Sequence, residues 1–420
     1  MNINNLTSPQ TTNYALHNNL LSSVSTPRTL EHVPSVITNE ISPNLSCANQ
    51  KSSGRCWIFA AVNMLRRELI SQKILPDSFE FSQSYVFFYD KLERMNYNLK
   101  LVEDLKEENN YDSRVIQHIL KEPFGDGGQW VMFTNIANKY GLVPRDVYPE
   151  SVHSSSSRGV NKVLSRMFRT YVKDIYTNKP YSRHLSLQKT YETLIRFFGE
   201  PPRDIVWNYK ITNVVKTYTG TPVNFMKEHC KIDFDKYVSL THDPRNDYNK
   251  LYGVDRLGNV VNGDVVKYLN LDIDRLASLS KLAIDNNVPI WFGSDVGQFF
   301  NSKLAVLDKK SFDYINFLNL EDTLTKRERI DFCESLMTHA MVYTGYNLDK
   351  YGKVNYWKIE NSWGTTGPYK GNLICSDEWF KEYTYQLILP KKYLSEEELN
   401  VWNGSISKSF PLWDPMGSLA

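Results

Sequence analysis

A chain of 420 residues with 49 Lys plus Arg, 47 Asp plus Glu and 41% hydrophobic residues carries a formal charge of +2. At about 150 residues per domain this length predicts two to three domains around a substantial core, and the charge balance argues against a protein built around a polyanion. No apolar run reaches the ~18 residues that cross a bilayer, and the opening MNINNLTSPQ has neither the basic nor the apolar part of a secretory leader.

In chain order, residues 1–45 are rich in Asn, Ser, Thr and Pro and predict an arm laid over the surface. Cys56 to Gln72 predicts a helix, because apolar side chains recur at 58, 61, 62, 65 and 69 among strong helix formers, with the charges on the far side. Ser52-Ser53-Gly54-Arg55 is its entry turn. Phe79 to Lys100 predicts a second helix that begins near Ser82, so 46–150 reads as a helical half. Residues 151–285 change character, with the run Ser154-Ser155-Ser156-Ser157, the amphipathic VNKVLSRMFRTYVKDIY and the breaker Pro201-Pro202. They predict a largely helical insertion. In 286–405 the pattern turns to strands at Val288–Phe292, Ala340–Tyr346, Tyr356–Ile359 and Asn372–Cys375. Residues 406–420 form a closing arm. Helices early and strands late predict an α+β fold with a cleft between the halves.

The five cysteines (Cys47, Cys56, Cys230, Cys333, Cys375) are too sparse and odd in number for a disulfide framework. They form no CxxC or Cys/His cluster of the kind that holds zinc. Small buried thiols in a reducing compartment are the plain reading, and the chain is expected to be cytoplasmic.

Cys56 differs from the other four because a turn meets a helix start there, where unpaired N–H groups and the helix dipole favour a thiolate. A helix-start Cys alone is ordinarily a small core residue. Likewise, His339 at the head of a β-like run and Asn361 at the end of another are individually unremarkable. A thiol nucleophile, however, needs a proton partner, and that partner needs an orienting group. Cys, His and Asn supply these three roles if the fold brings them together. Gln50, six residues before Cys56, adds an amide donor that with the Cys56 N–H can hold an oxyanion.

Three blocks, Gln50-Lys51-Ser52-Ser53-Gly54-Arg55-Cys56-Trp57, Thr338-His339-Ala340-Met341 and Glu360-Asn361-Ser362-Trp363-Gly364, resemble the active-site segments of papain-like cysteine peptidases. The bleomycin hydrolase and aminopeptidase C branch is the most similar. Asp126-Gly127-Gly128-Gln129-Trp130, Trp291 to Gly297, Glu334 to Met337 and Trp413 to Ala420 resemble that branch as well. His339 lies 283 residues after Cys56, against ~130–150 in ordinary papain-type enzymes. The excess is about the size of the inserted region.

The resemblance implies a papain-like fold and a cysteine aminopeptidase acting on peptide substrates, with no metal or organic cofactor. It implies Cys56 as nucleophile, in a thiolate–imidazolium pair with His339, with Asn361 orienting the ring and Gln50 in the oxyanion hole. Trp363 is implied to shield the Asn–His bond, and Asp126, Gly127 and Gly128 to bind substrate. The last residues are implied to lie in the cleft, so that the Ala420 carboxylate meets the substrate's free amino group. A homohexamer is implied too. A lysosomal-type endopeptidase and a nucleic-acid-binding oligomer using the basic pairs Arg66-Arg67 and Lys309-Lys310 are the rival readings. Thr365-Thr366-Gly367-Pro368 departs from the family pattern near the expected cleft rim.

Overall fold

The computed structural model describes residues 20–26, 33–107, 111–318 and 324–420. The expected N-terminal arm is thus described only in part, and residues 1–19 and 27–32 lie outside the described residues. Of the rest of the arm, Asn39–Glu40 adds a two-residue strand beside Tyr346 and Gly345.

Helix α1, Cys56–Ser71, starts at the expected residue and is capped by Gln72. All of it but Glu68 and Ser71 is buried, Arg66 and Arg67 included, which corrects the expectation of a charged outer face. Those two arginines meet Glu360, the residue before Asn361, in a buried ion-pair cluster. They are therefore internal ties and not a basic surface patch, while Lys310 pairs with Glu378 at the surface. Helix α2, Gln83–Lys106, is capped by Ser82, whose hydroxyl accepts from the Tyr85 N–H at 3.0 Å. After it come α3 (Arg114–Lys121) and α4 (Trp130–Tyr140).

After a single helical turn at Val152–Ser155, the inserted region continues with α5 (Arg158–Tyr176) and α6 (Arg183–Phe198), as its 3.6-residue pattern predicts. Its remainder adds strands that the expectation of a largely helical segment did not include. Strands β1 (Ile205–Ile211) and β2 (Val214–Gly220) pair as an antiparallel hairpin. Strands β3 (Tyr237–Thr241), β4 (Lys250–Val254) and β5 (Lys267–Asn270) then join the main sheet. Helix α7, Ile273–Asp285, leads back to the strand half.

That half supplies β6 (Ile290–Ser294), β7 (His339–Leu348), β8 (Val354–Glu360), β9 (Asn372–Ser376) and β10 (Thr384–Pro390), and β11 (Lys408–Phe410) closes it. The main sheet runs β11-β4-β5-β3-β10-β6-β7-β8-β9, then two short strands at Val306–Leu307 and Phe300–Asn301. Side chains alternate between two cores. Trp291, Ala340, Val342 and Ile388 face the core around α1, while Phe292, Met341, Tyr343 and Leu387 face a second core that includes α7. One edge of the groove is thus the start of α1, and the other is the leading end of β7.

Candidate active site

Arg55 precedes α1 without a side-chain cap, so first-turn N–H groups stay open at the helix start. The Cys56 thiol meets the N–H groups of Trp57, of Cys56 itself and of Ala340, the residue directly after His339. A sulfur at a helix start and a ring 283 positions later therefore share one end of one strand. His339 Nε2 and Asn361 Oδ1 are 2.9 Å apart. Since Oδ1 can only accept, the ring proton sits on Nε2 and leaves Nδ1 as the basic nitrogen. The Ser362 N–H donates to the same Oδ1 at 2.7 Å and fixes the amide. Trp363 lies over the imidazole with ring centroids 5.0 Å apart, although it is itself 39% exposed.

Burial governs the protonation of both groups. It pushes the Cys56 thiol up to about 11 against the pull of the three N–H groups. It pushes the His339 imidazole down to about 4 against the Asn361 hydrogen bond. Burial thus disfavours both charged forms, while the N–H groups at the helix start favour the thiolate and the Asn361 hydrogen bond favours the imidazolium.

Gln50 is buried and locked. Its Nε2 donates to the Ser53 carbonyl and its Oε1 accepts from the Ser362 hydroxyl, each at 2.6 Å, while its N–H donates to the Ser362 carbonyl at 2.8 Å. An amide nitrogen carries two protons, so one N–H of Gln50 stays uncommitted by these bonds.

The last residues of the chain lie along Gly127 and Gly128. The Ala420 N–H donates to the Gly128 carbonyl at 3.2 Å, and the Gly128 N–H donates to an Ala420 carboxyl oxygen at 3.0 Å. Gln129 Nε2 donates to the Ser418 carbonyl at 2.8 Å, and the Ser418 hydroxyl to the Met337 carbonyl at 2.6 Å. Glycines are required under this tail. A Cβ on Gly127 would stand 2.8 Å from the Ala420 oxygen and 2.9 Å from Leu419 Cβ, and one on Gly128 would stand 2.4 Å from the Trp57 indole. Upstream, Asp414 takes the Arg245 guanidinium at 2.9 Å, and Tyr268 donates to the Met416 carbonyl at 3.1 Å.

Asp126 is the one expected substrate-binding residue whose side chain is turned to other work. Its carboxylate accepts from Lys91 Nζ at 2.9 Å, Asn161 Nδ2 at 2.6 Å, the Gly54 N–H at 2.9 Å and the Ser157 hydroxyl. Burial pushes this carboxyl up, but Lys91 and the three other donors outweigh it and hold it well below the usual carboxylate range. Its carbonyl takes the Trp57 indole N–H at 2.7 Å. Asp126 thus ties the Cys56 loop to the Gly127-Gly128 segment.

Sequence reasoning missed Trp57, Gln129 and Ser362 as positioning groups, although all three lie in the matched blocks. Arg245 and Tyr268, more than a hundred residues from the tail they hold, carried no local signal.

The profile of the Peptidase C1-like family matches residues 3–417. The chain belongs to this family. It is 42% identical over 381 residues to aminopeptidase C of Lactococcus lactis subsp. cremoris, covering 89% of this chain and 86% of that relative. It is 37% identical over 391 residues to human bleomycin hydrolase, again covering 89% and 86%. The crystal structure of PepW from Lactobacillus rhamnosis HN001 superposes with a TM-score of 0.92 at 35% identity, over 98% of this chain and 95% of that one. The fold is papain-like, and the protein is a cysteine aminopeptidase of the bleomycin hydrolase type.

Proposed function

We propose that this enzyme removes single N-terminal residues from peptides through Cys56, His339 and Asn361, with its own C-terminus setting the length of what is cut. The observation that carries the reading is the pair of main-chain hydrogen bonds between Ala420 and Gly128, beside Trp57 and hence beside Cys56. A peptide extending the tail's line would have its first residue just beyond Ala420. Its ammonium would then face the terminal carboxylate, an attraction of roughly 4 kcal/mol at 4 Å and an effective dielectric of 20, before desolvation.

In the proposed reaction the sulfur attacks the scissile carbonyl as its proton passes to His339 Nδ1. The spare N–H of Gln50 and the Cys56 N–H take the developing oxyanion, where losing one donor costs about 3 kcal/mol. The C–N bond then breaks, His339 returns the proton to the leaving amine, and water assisted by the same nitrogen releases the acyl group. Trp363 over the ring keeps water from the Asn361–His339 bond.

The assay compares an aminoacyl fluorogenic substrate with its N-acetylated twin. The expected result is turnover of the free amine alone, abolished in Cys56→Ala. Equal turnover of both substrates would remove the terminal-carboxylate reading, and activity surviving Cys56→Ala would remove the nucleophile. A homohexamer, proposed from the family resemblance, predicts sedimentation at six times the 48.8 kDa chain. The five free cysteines support a reducing, cytoplasmic setting. Nucleic-acid binding loses the Arg66-Arg67 pair, whose charges are spent on Glu360.

A further inference from the structure

Resting on that reading of the groove, we propose that the wall beside Gly127 selects substrates whose N-terminal residue carries a carboxylate. The direction of the side chain follows from the tail. Ser418 turns its hydroxyl to Met337, whereas Leu419 Cβ sits against Gly127. Side chains of an extended segment alternate. Ala420 therefore shares the Ser418 side, and the residue that follows in line, the substrate's first, shares the Leu419 side with Gly127.

Directly before Gly127, Gly125 and Asp126 line a cavity of about 510 Å³. Its near wall is Ser52 to Gly54, the loop that carries Cys56, together with Gly125 and Asp126. Its far wall is α5. The helix buries Val160, Leu164, Phe168, Val172 and Ile175, and turns Arg158, Lys162, Ser165 and Arg169 to the cavity. Steps of four, three and four put those side chains on one face.

The charge balance of this cavity is one-sided. Among the described residues, Arg158, Lys162 and Lys121 at the end of α3 make no ion pair. Arg169 donates only to the uncharged carbonyls of Leu120 and Lys121. Of the two acids that line the space, Asp126 is committed to Lys91, Ser157, Asn161 and the Gly54 N–H. Glu122 is the other, so four cations stand against one uncommitted carboxylate. A Glu side chain entering here would find compensation that Gln, its uncharged isostere, would not. The cations are exposed and screened, so each pair is weak, and several together amount to about tenfold.

The test measures kcat/KM for Glu- and Gln-aminoacyl fluorogenic substrates, whose ratio cancels any difference in active fraction between preparations. The ratio is expected to be near tenfold at low ionic strength. It should fall toward one in high salt and in the double variant Arg158→Gln/Lys162→Gln, and rise in Glu122→Gln. A ratio at or below one in the wild type, or one that neither salt nor the double substitution moves, would overturn the proposal. The underlying groove reading is checked separately in the same plate: equal turnover of Ala and N-acetyl-Ala substrates would overturn that reading, whatever the Glu-to-Gln ratio.

Discussion

Asn361 spends its Oδ1 twice, on the His339 ring at 2.9 Å and on the Ser362 N–H at 2.7 Å. The second bond aims the first. Replacing Asn361 by Ala frees the imidazole to rotate and leaves Nε2–H without its buried acceptor, a loss of about 1–3 kcal/mol. Because the proposed substrate binding uses the Gly128 main chain instead, kcat should fall roughly tenfold to a hundredfold while KM stays near the wild-type value. Steady-state kinetics on an aminoacyl substrate decides it, and an unchanged kcat would show that the ring is held by Trp363 alone. Cys56, His339, Asn361 and Gln50 could be picked out from the sequence because each sits in a block with its own local signature. Arg66 and Arg67 could not be read correctly. Charges on a helix ordinarily face water, and their partner Glu360 lies 294 and 293 positions away.

Among the elements, α1, α2, α5 and the strands from β6 to β9 were legible because each carries its period over enough residues to stand out. The strands of the inserted region were not. β3 has five residues, and its main partner, β10, follows it by more than a hundred positions. Its burial is made by tertiary pairing that no local pattern encodes. The junction held by Asp126 has a similar origin, since Lys91, Gly54 and the Ser157–Asn161 turn come from three separate segments. Its carboxyl is depressed in the folded state, so its stabilisation is present above the unfolded value near 3.8 and is lost as pH falls below it. Asp126→Asn leaves the buried Lys91 ammonium without its counter-ion and should cost roughly 3 kcal/mol at neutral pH. In denaturant titrations the gap between wild type and variant should narrow as pH drops through the acidic range. A gap that stays constant from neutral to acidic pH would mean that Asp126 acts through shape and not through charge.

For the whole molecule, the tail links the sheet edge to the groove. β11 pairs with β4, Asp414 is clamped by Arg245, and the last residues then run along Gly127-Gly128 to end beside the start of α1. Deleting Ser418 to Ala420 leaves those upstream anchors in place, so the fold should persist while the groove opens. Two consequences follow from different physics. Without the terminal carboxylate, the preference for a free over an acetylated amine should collapse toward parity, because the opposing charge is gone. Without the covering chain, water reaches the sulfur, and the burial that pushes Cys56 up to about 11 is relieved. The pH midpoint for alkylation of Cys56 by iodoacetamide should therefore move down. The midpoint is informative where the rate alone is not, since better access raises the rate at every pH without shifting the titration. A truncated enzyme that keeps both its amine preference and its midpoint would show that the tail neither measures the substrate nor sets the state of the thiol.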